Sequence, residues 1–210
     1  MLRSLAREGI RPFDRDRDGT ILGEAAAVLV LESATHAQRR GARAWAEVAG
    51  YGSSTDAYHM TRPDVTGEGP ARAMRQALSD SGLPPGEIGY VKAHGTATPA
   101  NDVIETRALK LVFGASTQVP ISSVKSMIGH SLGASGAVEA AAAILALEGG
   151  FLPPTLHLEN PDPECDLDYV PGTSRRQRVE AVLANAFGFG GNNASMVFRP
   201  GTPALERPCA

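Results

Sequence analysis

The sequence predicts an α/β fold, and three observations predict it. Strand-like runs alternate with amphipathic or small-residue helical runs, the pattern of layered α/β packing. Two late segments, VEAVLANAFGFGG and NASMVFRP, are joined through glycines and read as an antiparallel pair. Ahead of them lies GASGAVEAAAAILALEGG, a helical run almost wholly of small and apolar residues, the composition of a helix buried all round.

In chain order, AAAVLVLES (25–33) reads as a buried strand and ATHAQRRG as a helix closed by Gly41. AWAEVAGYG reads as a strand leading into a polar loop, SSTDAYHMTRPDVTGEG (53–69), whose length marks it as a candidate functional loop. A helix follows over about 70–81 with Ala73, Ala77 and Leu78 on one face, and then EIGYVKAHG, a strand ending in polar residues. DVIETRALKLVFG is a helix with Asn101 or Asp102 as its N-cap, and QVPISS is a short strand before the small-residue helix. The tail GTPALERPCA is expected to be frayed. No repeat or low-complexity linker interrupts the chain. The dozen residues before the first motif offer nothing for that motif and its strand to pack against, so the start reads as the middle of something larger.

A chain of 210 residues that is 42% hydrophobic can bury a substantial core. A net charge of −3 lacks the basic excess that neutralises phosphates, and 5% aromatics give no stacking platform, which argues against nucleic acid. No apolar run is expected to span a membrane, and LRSLAREGIRPFDRDRDG after Met1 has no signal-peptide core, so a cytoplasmic protein is expected. Cys165 and Cys209 form no disulfide framework and no metal spacing. Cys165 lies among carboxylates in PDPECDLD, which disfavour its thiolate, and Cys209 is penultimate; both are expected to be passive.

Three motifs compete for the chemistry. DRDRDG (14–19) opens like a calcium loop, but its twelfth position is Ala25 rather than a bidentate Glu, so a structural turn is expected. GHSLG matches the G-x-S-x-G elbow with Ser131 as nucleophile. The preceding SSVKSMI is not an apolar strand, however, and no aspartate stands between Ser131 and His157. SSVK matches S-x-x-K without its S-D-N or K-T-G companions. The histidines fare better. His94 ends a strand beside Gly95, Thr96 and Thr98, where α/β proteins place ligands. His130 precedes the small-residue helix, whose N-terminal field keeps an imidazole neutral and able to donate an N–H to a developing anion. Lys125 and Glu139, the latter the one charge inside the apolar helix, are expected to pair. The glycines of FGFGGNN (187–193) lead into a strand, not a helix, and suit an exposed amide beside a bulky Phe189 rather than a phosphate loop.

RPFDRDRDGTILGE, SSTDAYHMTRP, HGTATPAND, SSVKSMIGHSLGASGAVE, PPTLHLENPDPECDLDYVP and NAFGFGGNN together resemble, in order and spacing, the C-terminal half of the β-ketoacyl-acyl carrier protein synthases. The resemblance spans residues 11–199, with 1–10 as a remnant of the end of the N-terminal half and 200–210 as tail. It implies half of a thiolase-like fold, βαβαβαββ with a mixed sheet and a buried helix, in an enzyme that is usually a homodimer. That enzyme performs decarboxylative Claisen condensation on groups carried by acyl carrier protein, in fatty acid or polyketide synthesis, with no cofactor and no metal.

Carried onto matching positions, the resemblance makes His94 and His130 the catalytic histidines of a Cys-His-His triad, with Lys125 and Glu139 supporting them. Thr96 and Thr98 would bind the pantetheine arm; Phe189 would be the gating phenylalanine whose backbone N–H forms the acyl oxyanion hole with the nucleophile's own amide, and with Gly190 it would bind substrate. Asp56, His59 and Phe187 would belong to the gating loops. The family's nucleophilic cysteine belongs to the other half, so the chain alone is expected to form no acyl-enzyme. The alternatives are a chain-length-factor-like partner subunit and a serine hydrolase using Ser131. Smaller departures from the pattern are Asn101 and Ala25 where the family has Gly, and Asn192 where it has Thr.

Overall fold

The computed structural model describes residues 4–201. Cys209 and nearly all of the expected tail lie outside the described residues. The first helix, α1 (Ala34–Arg39), starts where Ser33 Oγ accepts the His36 N–H and is followed by Gly41 at φ +68°. After it the chain runs β1 (Ala46–Thr55), α2 (Glu68–Ser81), β2 (Tyr90–Lys92), α3 (Asn101–Phe113), β3 (Ile121–Ser122), the short α4 (Lys125–Ile128) and α5 (Ser135–Gly149). A small antiparallel ladder, β4 (Phe151–Leu152) with β5 (Arg175–Arg176), precedes β6 (Val182–Gly188) and β7 (Asn192–Pro200). Apart from α1, α4 and that ladder, this is the expected βαβαβαββ succession.

The main sheet has the order β1-β7-β6-β2-β3. β1/β7 and β6/β7 pair antiparallel, and β2 pairs parallel with both β6 and β3, so the sheet is mixed. Its middle is covered on both faces. Val91, Leu183 and Val197 point to the side where α2 and α3 bury Met74, Ala77, Leu78, Ala108 and Leu109. Tyr90, Val182 and Phe198 point to the side where α5 buries Ala140, Ala143, Ala146 and Leu147. Gly52 makes the first contact possible: a Cβ there would lie 2.1 Å from the Ala73 carbonyl oxygen of α2, so β1 and α2 touch backbone to backbone.

Three expectations are corrected. Residues 25–33 form no strand and are not buried; Val28 is 90% and Val30 82% exposed. An apolar strand needs a neighbouring ladder and a surface to cover its side chains, and among the described residues this segment has neither. Neither Asn101 nor Asp102 caps α3, whose N-cap is Ala100; Asp102 turns inward and accepts the N–H groups of Phe13 and Ala97. Finally, the small-residue helix is buried along the face it turns to the sheet, while Leu145 on the other face is 55% exposed.

The span Leu132–Gly149 is long and apolar enough to cross a membrane by length and composition, which the sequence reading did not anticipate. The α-helix within it covers 15 residues, or about 22 Å against the roughly 30 Å of a hydrocarbon core. It packs on the sheet and carries Glu139 in a buried ion pair, as a core helix does.

DRDRDG is a structural turn. Asp14 is buried and its carboxylate accepts the N–H groups of Asp16, Glu159 and Asn160. Arg17 bonds Asp162, the Asp14 carbonyl and the carbonyls of Thr98 and Pro99. The turn therefore ties the N-terminal segment to the loop after β2 and to residues 159–162. No carboxylate group suited to a metal is found among the described residues.

Candidate active site: two histidines over a buried charge cluster

The C-terminal end of β2 releases the chain into His94-Gly95-Thr96, and this turn is held by a single carboxylate. Glu105 of α3 accepts the His94 N–H and the Gly95 N–H, both at 2.8 Å. Gly95 sits at φ +40°, and a Cβ there would come 2.5 Å from the Ser123 Cβ, so both conformation and space demand glycine. Ser123 Oγ completes the clamp by donating to the Gly95 carbonyl.

His130 reaches the same place from another direction. Gly129 ends α4, and the His130 N–H donates to the Ile21 carbonyl while the Gly23 N–H donates to the His130 carbonyl. The His94 and His130 ring centroids are 5.6 Å apart, nearly perpendicular at 86°. His130 precedes a short 3-10 turn, Leu132–Ala134, and then α5.

Each ring has its Nδ1 committed. The Leu132 N–H donates to His130 Nδ1 at 3.1 Å. Lys125 Nζ, which has only protons to give, lies 3.3 Å from His94 Nδ1. Both Nδ1 atoms therefore act as acceptors, and in both neutral rings the proton sits on Nε2. The surroundings hold the rings neutral. Burial pushes His94 well below its ordinary value, and Lys125, Lys92 and His130 push the same way. Burial, followed by Lys125, brings His130 down to about 4.

Beneath the histidines is a cluster of charge. Lys125 Nζ donates to the His94 carbonyl at 2.6 Å and pairs with Glu139 Oε1. Lys92 Nζ takes the other oxygen, Glu139 Oε2, at 2.5 Å. All three side chains are almost completely buried. The two lysines hold Glu139 below the usual carboxylate range against the opposing pull of burial.

The other sequence-chosen residues lie as follows. Thr96 is buried and its Oγ1 lies 2.9 Å from Thr98 Oγ1. The Phe187 ring stands 5.4 Å from the His94 ring, whereas Phe189 is 64% exposed at the tip of the β6–β7 turn. Gly190 donates its N–H to the Met60 carbonyl at 2.7 Å. Asp56 accepts from Asn193 Nδ2 and the Asp64 N–H, and its own N–H donates to the Gly191 carbonyl. The loop after β1 and the β6–β7 turn are thus bonded to each other. His59 is exposed and accepts the Thr61 N–H, apart from the histidine pair.

Ser131 follows a short helix and a glycine rather than a strand, and its Oγ meets Ser135 Oγ at 3.3 Å; no histidine bonds it, so the elbow is absent. Cys165 is buried in the core beside α3, and burial pushes its thiol up to about 12.

Sequence reasoning passed over Lys92, Glu105, Asn185, whose Nδ2 donates to Glu105 Oε1 at 3.2 Å, and Ser135, whose Oγ lies 3.0 Å from His130 Nδ1. Lys92 had a signal: a lysine inside the strand YVKAHG of a parallel pair is buried on either face and must find a partner. Glu105 had one too, since Asp102, Glu105, Thr106 and Leu109 share the buried face of α3.

Residues 45–159 match the family described as "Beta-ketoacyl synthase, C-terminal domain". The chain is 52% identical over 190 residues to 3-oxoacyl-[acyl-carrier-protein] synthase 2 of Synechocystis sp., an alignment covering 90% of this chain and 46% of that protein. It therefore spans about half the length of the curated relatives it matches. Among solved structures it resembles the ishigamide ketosynthase/chain length factor, with a TM-score of 0.91 and 45% identity over 94% of this chain and 48% of that one. It likewise resembles a type II PKS ketosynthase solved with its acyl-carrier protein and bound to the hexaketide, with a TM-score of 0.90 and 40% identity over 95% of this chain and 50% of that one.

Proposed function

The chain belongs to the family of β-ketoacyl synthase C-terminal domains, and on that premise we propose that it carries the decarboxylating half of a condensing site. That site joins an acyl thioester to a malonyl thioester held on acyl carrier protein, in fatty acid or polyketide synthesis. The observation that carries this reading is the His94–His130 pair, two neutral rings 5.6 Å apart with both Nδ1 atoms engaged and both Nε2–H groups left to donate.

The chemistry follows from that arrangement. Loss of carbon dioxide breaks the bond between the malonyl Cα and its carboxylate and leaves the electron pair on Cα, shared with the thioester oxygen. Two N–H donors held in place before reaction stabilise that oxygen as it becomes anionic. Imidazolium would instead pair with the malonyl carboxylate, stabilising the ground state that must be left behind, so neutrality of the rings serves the rate. The Cα then forms a carbon–carbon bond to the acyl thioester carbonyl, and the acyl group's sulfur departs as thiolate.

Thr96 and Thr98 bind the pantetheine arm, Phe189 and Gly190 lie at the acyl group, and Asp56, His59 and Phe187 belong to the loops that gate it. The bonds between Asp56 and the β6–β7 turn support coupled movement of those loops. The acyl-bearing cysteine belongs to the other half of the enzyme, a placement supported by the Cys165 thiol being buried and kept protonated. The working enzyme is a homodimer served by acyl carrier protein; likeness to a ketosynthase solved with its carrier supports the carrier as partner.

Likeness to a ketosynthase/chain length factor favours a second reading, a partner subunit without a nucleophile. Retention of His94, Lys125 and His130 together weighs against it, since a structural partner needs none of them. Replacing His130 by Ala in the protein that carries this sequence decides between them. Malonyl-carrier decarboxylation should fall about 100-fold or more. Unchanged decarboxylation places the oxyanion site elsewhere. Intact mass after incubation of this chain alone with acyl-loaded carrier protein should show no acyl adduct; an adduct on it would overturn the placement of the nucleophile.

A further inference from the structure

We propose that Lys92 is a positioning residue for the histidine pair: by occupying one oxygen of Glu139 it forces Lys125 to the other, and so fixes Lys125 Nζ under His94. This rests on the reading of His94 and His130 as the decarboxylating pair. Lys92 is fully buried on β2, between β6 and β3, and its Nζ donates to three oxygens: the Ala93 carbonyl at 2.8 Å, Glu139 Oε2 at 2.5 Å and the Asn185 carbonyl at 3.1 Å. Nothing in that set touches a substrate. One carboxylate thus serves two lysines, one per oxygen.

The consequence lies in the geometry of Lys125. Its Nζ must divide its donors among Glu139 Oε1, the His94 carbonyl and His94 Nδ1. With Lys92 present, Glu139 Oε2 is taken and the carboxylate is pinned. Without it, Oε2 would lie buried and unpaired, and the carboxylate would turn to offer both oxygens to Lys125. Nζ would then move toward Glu139 and away from His94 Nδ1, freeing the ring to change tautomer or rotate. A misplacement of about 1 Å in such a site costs on the order of 100-fold in rate.

The same lysine acts on the rings through charge. The charged and titratable groups facing Lys92 are Glu139 of α5, Lys125 of α4, Glu105 of α3, the two histidines, and Tyr90 on its own strand, whose hydroxyl meets Ser122 Oγ. Burial lowers Lys92 to about 8, and Glu139 opposes that shift, so the side chain remains cationic at neutral pH. Burial is the main reason both imidazoles stay unprotonated, and the charges of Lys125 and Lys92 push the same way.

Two variants separate positioning from mere support of the fold. Lys92→Met removes the charge and every donor. Lys92→Gln keeps amide N–H groups for the carbonyls of Ala93 and Asn185 and removes the charge and the donor to Glu139 Oε2, so it carries the test if the Met variant fails to fold. The first readout needs no activity: the imidazole titrations of the 15N-histidine-labelled protein, assigned with His94→Ala and His130→Ala. Lys92→Gln should raise the His130 midpoint by about half a pH unit or more and change the His94 Nδ1 shift as the Lys125 contact is lost. The second is malonyl-carrier decarboxylation, where kcat should fall about tenfold or more with KM little changed. Lys92→Arg, which keeps charge and donors, should restore most of the lost kcat. Titrations and kcat that match the parent in a folded Lys92→Gln protein overturn the proposal. If His130→Ala retains decarboxylation while Lys92→Gln still moves the titrations, the functional reading fails and the positioning of the rings by Lys92 stands.

Discussion

His130 is partly exposed yet held neutral, and that combination has a measurable consequence. Its folded value of about 4 lies below the roughly 6.5 of a free imidazole. The unfolded chain therefore binds the proton first as pH falls. Its contribution to stability is full above about 6.5 and is lost as pH drops toward about 4. His94 acts in the same sense. Asp102, raised by burial to about 6, acts in the opposite one, favouring the fold at low pH and losing that contribution as pH rises. The parent minus His130→Gln difference in urea midpoint isolates the first effect: it should change steadily between pH 6.5 and 4, and a flat difference would refute the shift. Cys165 gives a second check at this scale. With its thiol raised to about 12, iodoacetamide at neutral pH should label it far more slowly than free cysteine in a Cys209→Ser background, read by intact mass.

At the scale of elements, the site depends on two turns, at Gly95 after β2 and at Gly129 after α4, which bring His94 and His130 together. Gly95 is the tighter. Gly95→Ala must place a methyl against Ser123 at a φ of +40°, and should cost about 1–3 kcal/mol in unfolding free energy, checked by denaturant titration. Arg17 is the strap that joins the N-terminal turn to the loop after β2 and to Asp162. Arg17→Met leaves Asp162 and the buried Asp102 short of their cation and should cost about 3–5 kcal/mol by the same measurement. The helices and strands themselves were legible because their signals are local: the apolar face of α2, the glycine turn between β6 and β7, the small-residue run of α5. The cap of α3 was misread because Asp102 has the residue type of a cap, yet finds better donors in Phe13 and Ala97 far away in sequence.

For the molecule as a whole, one side of the fold is finished and the other is not. The face under α2 and α3 is closed, while Val28, Val30 and Leu31 are exposed on a segment outside any strand, and Leu132 and Leu145 lie open at and along α5. An exposed apolar surface of this kind promotes association. The isolated chain should therefore self-associate, and Val28→Lys with Val30→Lys should reduce light scattering at equal concentration; equal scattering would show that the segment is not the adhesive surface. That exposure explains why the reading of 25–33 as a buried strand fails. Its composition is that of a covered strand, but coverage is a property of what packs on it.

The sequence by itself determined the α/β succession, the family, and the residue types at the site, because periodicity, glycine placement and linked motifs are written in neighbouring positions. It also showed that Ser131 stands in an accidental match, since the strand and acid an elbow needs are missing from the chain order. Only the tertiary structure decided that Glu139 is shared by two lysines and that both histidines keep their protons on Nε2. Those outcomes depend on distances between β2, α4 and α5, elements separated by up to 47 positions, and no local pattern encodes which oxygen meets which nitrogen.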